Sequence, residues 1–181
     1  MWELSKKAVY DRVNEVASRG IIPFVIGGDH SITWPAATAV AEHHGFGNVV
    51  MIHFDAHADT ANIIEGNLAS HGTPMRRLIE SGAIPGKNFI QVGLRGYWPG
   101  EEDQQWMRDN GLTHFMMQEI WERGVRPVMA DVIAAAKSKA AKVYVSIDID
   151  VLDPGFAPAT GTPAPGGFAP IDLLRFVRQI V

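Results

Sequence analysis

The chain contains no cysteine. That absence removes disulfides, thiolate zinc sites and cysteine nucleophiles together, and it fits a reducing compartment. It also lacks any apolar run near the ~20 residues that a membrane-spanning helix needs. The N-terminus passes from Met1, Trp2 and Glu3 straight into a helical pattern, without the charged and then apolar stretch of a secretory signal. The expectation is a cytoplasmic protein with no membrane partner. An excess of basic charge is missing too: the net charge is −4 and the isoelectric point about 5.9, which argues against nucleic acid as a partner. What is present is ordinary for a soluble globular protein, with 46% hydrophobic and 20% charged residues. A length of 181 residues suffices for a single domain, expected over residues 1–181, with a sizeable core.

Along the chain, short apolar runs alternate with amphipathic or alanine-rich stretches. Residues 2–19 read as an amphipathic helix stopped by Gly20. Residues 21–26 (Ile-Ile-Pro-Phe-Val-Ile) read as a strand buried on both faces. Further strands are expected at 48–54, 89–94, 112–117 and 142–149. Further helices are expected at 31–44, 74–82, 100–110 and 127–140, with a last one starting near Ile171. A Pro/Gly-rich loop fills 153–170. This alternation predicts an α/β fold, a three-layer α-β-α sandwich around a mainly parallel sheet. The amphipathic pattern of Leu173, Leu174, Phe176, Val177, Ile180 and Val181 has no cap after it, so a fragment truncated at both ends is expected.

Three polar motifs each follow an apolar run: Gly27-Gly28-Asp29-His30-Ser31, Asp55-Ala56-His57-Ala58-Asp59 and Ser146-Ile147-Asp148-Ile149-Asp150. Extended side chains alternate with period two. Asp55, His57 and Asp59 therefore share a face if strand geometry persists, and so do Asp148 and Asp150. In parallel sheets ligands bind beyond the carboxyl ends of the strands, the edge all three motifs occupy. Each motif alone has a plain structural reading: Asp29 as a helix cap, Asp-x-His-x-Asp as a surface turn, Asp148-x-Asp150 as turn chemistry. Together they bring four carboxylates and two imidazoles into one cleft. Like charges in a buried cleft need compensation, and divalent cations supply it. Oxygen and imidazole ligands without thiolate suit Mn²⁺ better than structural zinc. Four carboxylates exceed the needs of one ion, whereas two ions bridged by two carboxylates would use them all. Two such ions can hold a bridging water and make it hydroxide near neutral pH, so the residues point to metal-assisted hydrolysis.

At these residues the chain resembles the ureohydrolase family of arginases, agmatinases and guanidinobutyrases. The resemblance rests on GGDHS (27–31), HFDAHADT (53–60), SHGTPMRRL (70–78), QVGLRG (91–96) and SIDIDVLDPGFAPATGTPAPGG (146–167). It implies two Mn²⁺ per chain in an arginase-like fold. One ion would be held by His30, Asp55, Asp59 and Asp148, the other by His57, Asp55, Asp148 and Asp150. Asp59 and His71 are the implied catalytic residues, His71 as the proton-shuttling histidine in place of an ordinary loop residue. The implied reaction is attack of a metal-bridging hydroxide on a guanidinium carbon, giving urea and an amine. Thr162 is a weaker candidate for contacting the guanidinium.

Departures from arginases sharpen the expected substrate. Where arginases carry an asparagine for the substrate carboxylate this chain has Ala61, and where they carry an aspartate for the amino group it has Trp98. Loss of such paired contacts costs discrimination, so agmatine is favoured over arginine, with 4-guanidinobutyrate as the alternative. Trp98 and Tyr97 either line the pocket as an aromatic wall or are surface aromatics. His53 is expected to point away from Asp55 as a supporting or core histidine, and Arg76 and Arg77 to form a solvated helix face. A guanidinium-binding glutamate, which family members carry after the second Asp-x-Asp motif, is absent. The chain alone is therefore expected to be weakly active or inactive. Rival readings are a formimidoylglutamate hydrolase or deacetylase-like relative, a truncated metal-binding chain without catalysis, and a structural domain without metal. Ni²⁺ or Co²⁺ could fill the same ligands, and a homo-oligomer is expected.

Overall fold

A computed structural model describes residues 2–139 and 142–180. Helix α1 (Trp2–Ala17) is followed by an extended segment, a 3-10 turn (His30–Ile32) and α2 (Thr33–His44). Strand β1 (Val49–Phe54), α3 (Pro74–Glu80), β2 (Phe89–Leu94), α4 (Glu101–Asp109) and β3 (Thr113–Met116) come next. Then come α5 (Met117–Arg123), α6 (Val125–Lys139), β4 (Lys142–Ile147) and α7 (Pro170–Ile180). The sheet order is β3-β2-β1-β4, and every pairing is parallel.

Side-chain alternation along β1 builds two cores. Val50, Ile52 and Phe54 face α5, α6 and α7, meeting Ile120, Val132 and Phe176. Val49 and Met51 face α2 and α3, meeting Ala41, Met75 and Leu78. Helix α1 packs outside α2 through Val13, Ala36 and Ala39. The expected helix–sheet–helix layering is therefore present. No helix among the described residues is long and apolar enough to cross a membrane.

Three expectations need correction. Residues 21–26 form no strand: Ile22, Phe24 and Ile26 are 89%, 87% and 82% exposed. A strand exists only with a neighbour to complete its hydrogen-bond ladder, and among the described residues this run has none. The run at 142–149 ends as a strand at Ile147, because Asp148 turns the chain and caps a 3-10 turn (Ile149–Val151) by accepting from Asp150 N–H. Helix α6 begins at Val125 rather than 127, α5 was not anticipated, and Ala140 lies outside the described residues. Gly124, at φ 85°, breaks what would otherwise be one helix.

Candidate metal centre

Because the strands are parallel, the ends of β1, β2 and β4 open on one edge. Phe54 is the last strand residue of β1, and the five residues after it form a tight turn instead of continuing the strand. Asp55 Oδ1 accepts from the His57 backbone N–H at 2.6 Å, which folds the turn back on itself. Asp59 sits at φ 53°, a left-handed conformation that Asp tolerates better than most residues. Its carbonyl accepts from Met75 N–H at the start of α3, which holds it there. The side chains thus converge by turn geometry and not by persisting period-two alternation.

His30 arrives from the other side. Gly27 and Gly28 take positive φ (113° and 71°), and Asp29 caps the turn by accepting from Ser31 N–H at 2.8 Å. The ring is pinned by Ser146 of β4, whose Oγ lies 2.8 Å from Nε2. Nδ1 then faces three carboxylate oxygens: Asp59 at 2.9 Å, Asp55 at 3.1 Å and Asp148 at 3.3 Å. This buried nitrogen makes no well-directed hydrogen bond. An imidazole nitrogen crowded among three carboxylate oxygens has the surroundings of a cation ligand once its proton leaves. Opposite it, His57 Nδ1 lies 3.0 Å from Asp150 Oδ2 and 3.6 Å from Asp55 Oδ1. Asp150 Oδ1 accepts from Ala56 N–H at 3.0 Å.

Among the described residues, two groups of ligand atoms are close enough to surround an ion: His30, His53, Asp55 and Asp59 in one, Asp55, His57 and Asp150 in the other. Asp55 belongs to both, turning Oδ2 toward His30 and Oδ1 toward His57. Asp148 directs Oδ2 to His30, and its Oδ1 accepts from Asp150 N–H at 3.0 Å.

The electrostatics follow from crowding. Burial and the neighbouring Asp55 push the Asp59 carboxyl up to about 6. The same two causes raise Asp148. Burial works to raise Asp55 as well, but His53, His30 and His57 outweigh it and hold that carboxyl well below its ordinary value. Hydrogen bonds to Asp150 and Asp55 push His57 up to about 10. Burial opposes the charged form of His30, yet Asp55 and Asp59 raise it well above the ordinary value. Without metal, protons on His30 and His57 balance the carboxylates, and a divalent cation would displace them.

Around this centre, Thr162 donates to Asp150 Oδ2 at 3.2 Å, so its hydroxyl reaches the ligand cluster. His71 lies in an exposed turn before α3, its Nδ1 3.3 Å from Ser70 Oγ. The adjoining Gly72 carbonyl accepts from Ala61 N–H, tying that turn to the Asp59 loop. Trp98 is 46% exposed beyond the end of β2, and Tyr97 is fully exposed. Arg76 and Arg77 do not form a solvated face. Arg76 stacks on Trp106 and bonds Asp103, while Arg77 is buried against Asn62 and Glu80. Arg76 reaches a carboxylate on α4 and Arg77 an amide of the loop before α3, long-range partners that local spacing does not reveal.

His53 also departs from expectation. It does not point away: its Nε2 lies 2.7 Å from Asp55 Oδ2, the two side chains emerging on the same side at the end of β1. Sequence reasoning missed three further supports. Gln91 bonds His53 across the sheet, and Ser146 fixes His30. Arg95, 6% exposed, donates to the carbonyls of Gly93, Asp150, Val151, Leu152, Ala164 and Pro165. Ser146 alone carried a readable signal, since it shares parity with Asp148.

The Arginase family model matches residues 2–181. The mitochondrial agmatinase of Gallus gallus is 37% identical over 176 residues, 96% of this chain and 50% of that protein. The guanidinobutyrase of Pseudomonas aeruginosa is 38% identical over 169 residues, 93% of this chain and 51% of that protein. Among solved structures, the formimidoylglutamase of Bacillus subtilis superposes with a TM-score of 0.91 at 29% identity, covering 97% of this chain and 55% of that one. The chain thus spans about half the length of the curated relatives it matches. With the sheet order, the converging Asp and His residues and the family match in agreement, this chain belongs to the arginase family.

Proposed function

We propose that this chain carries most of the catalytic centre of a dinuclear manganese hydrolase that cleaves a linear guanidino compound, agmatine in preference to 4-guanidinobutyrate, to urea and an amine. The observation that supports it most is Asp55, whose two oxygens face separate ligand groups as a bridging carboxylate must. His30, Asp55, Asp59 and Asp148 would hold one ion, and His57, Asp55, Asp148 and Asp150 the other. When bound, the ions would supply a water activated for attack on the guanidinium carbon.

The remaining roles belong to side chains of this chain. Asp59, buried and held in its left-handed conformation by the Met75 N–H, keeps its carboxylate fixed toward His30. His71, exposed and close to the Asp59 loop, delivers a proton to the leaving amine nitrogen. The Thr162 hydroxyl orients Asp150 and reaches toward the guanidinium. Trp98 packs against the aliphatic chain of the substrate. Ala61 and Trp98 offer no partner for the amino-acid end of arginine, which favours a simpler tail.

The test is urea release by the Mn²⁺-loaded protein from agmatine, 4-guanidinobutyrate and arginine in parallel. Faster release from agmatine is expected. Two bound ions without urea from any substrate would leave a metal-binding chain without catalysis. A folded protein that binds no Mn²⁺ would sink the metal reading itself.

A further inference from the structure

His53 stands within reach of the His30, Asp55 and Asp59 ligand atoms, which makes it look like a further ligand. The hydrogen bonds around it say otherwise. The amide orientation of its neighbour Gln91 is fixed by the Ala58 carbonyl, which can only accept and lies 2.7 Å from Gln91 Nε2. The same Nε2 lies 3.0 Å from His53 Nδ1. It therefore donates there as well, and Nδ1 carries the lone pair. The ring proton must then sit on Nε2, pointing at Asp55 Oδ2 2.7 Å away. Gln91 holds this arrangement although its own Oε1 is buried without a partner. Turning the amide over would set that oxygen against the Ala58 carbonyl, two acceptors 2.7 Å apart.

We propose that Gln91 and His53 form a positioning pair for Asp55, with Gln91 selecting the His53 tautomer and His53 donating to the carboxylate. The pair is built into the sheet, because His53 and Gln91 are register partners of β1 and β2 and both are fully buried. Asp55 is gripped at both oxygens, by His53 on Oδ2 and by the His57 backbone N–H on Oδ1. Its plane is thereby set so that each oxygen faces its own ligand group. A neutral imidazole does this without placing another cation beside bound metal ions. The pair also anchors the Ala58 carbonyl, and with it the turn that carries His57 and Asp59.

The proposal rests on the reading of Asp55 as a metal ligand, and the test separates the two. Mn²⁺ affinity of the metal-stripped chain is measured by calorimetry for the unmodified protein, His53→Phe and His53→Gln, each with a far-ultraviolet spectrum. The expected result is a loss of about 10- to 100-fold for His53→Phe. His53→Gln, whose amide can still donate at the position of Nε2, is expected near the unmodified affinity. Nitrogen-15 spectra of the imidazoles provide a readout independent of metal: an Nε2–H tautomer is expected for His53, switching in Gln91→Glu. Unmodified affinity in a folded His53→Phe variant overturns the proposal, and so does an Nδ1–H tautomer in the unmodified protein. Should His53→Phe fail to fold, the tautomer and the affinity of Gln91→Glu decide in the same way. No Mn²⁺ binding by the unmodified, folded protein removes the metal centre, and the positioning role falls with it.

Discussion

Two apolar runs of the same length and character end in utterly different surroundings. Strand β1, residues 49–54, is buried at every position, with β2 on one side, β4 on the other and helices on both faces. Residues 21–26, as apolar in composition, lie in solvent with Ile22 at 89% exposure. Strand β4 stands between these extremes: it has one strand neighbour, and Val143 and Ile147 are 42% and 44% exposed. Burial is thus a property of neighbours and not of the run itself. The proposed metal centre draws on both kinds of region, taking Asp55, His57 and Asp59 from the end of the enclosed strand and His30 from the end of the unpartnered segment. The first group is fixed by the sheet. His30 depends on Ser146 and on the carboxylates it faces.

The largest effect is expected from Asp59→Asn. Asn tolerates the left-handed backbone at that position, and burial already disfavours the charge it removes. The Mn²⁺-induced rise in melting temperature should vanish while the metal-free melting temperature holds or rises. A metal-free protein that melts much earlier would show that the aspartate serves the fold. Next come two interior changes of similar size. Ile52→Ala, a cavity beneath Val132 and Phe176 in the enclosed region, should cost about 3 kcal/mol in urea unfolding. Arg95→Met should cost about 3 kcal/mol as well, because it strands carbonyls now bonded to a buried charge. A cost below about 1 kcal/mol would mean that the 150–165 loop is held by something else.

A smaller effect concerns pH. With its folded value raised to about 10 from an ordinary 6.5, His57 keeps a proton in the folded state that the unfolded chain has lost. Stability from this group is complete below about pH 6.5 and is lost as pH rises through about 10. Urea midpoints of the metal-free chain should fall across that window, and His57→Gln should flatten the slope. The smallest effect is Ile22→Ala, expected within about 0.5 kcal/mol of the unmodified chain. A cost as large as that of Ile52→Ala would erase the contrast between the two runs.

Much of the layout was legible in the residues, and most of the failures concern partners distant in the chain. β1 and β2 read correctly as buried strands, and the three acidic motifs read correctly as meeting on one edge. Residues 21–26 gave the same signal and were misread, because hydropathy reports what a segment can do and not whether a partner stands beside it. His53 could have been placed by parity alone, since it shares a face with Asp55. Gln91 could not, since the register of β1 against β2 is a long-range fact. Arg95 was equally hidden: its partners are main-chain carbonyls up to 70 positions away, which leave no side-chain signature.

The guanidinium of Arg95 has one more consequence. The carbonyls it collects would otherwise form an inward-facing negative cup, and the chain fills that cup with a cation that cannot leave. The polypeptide after β4 is therefore shaped before any ion arrives. On this side the proposed centre then needs no ordering of the loop to receive an ion, since Asp150 and Thr162 already stand in place.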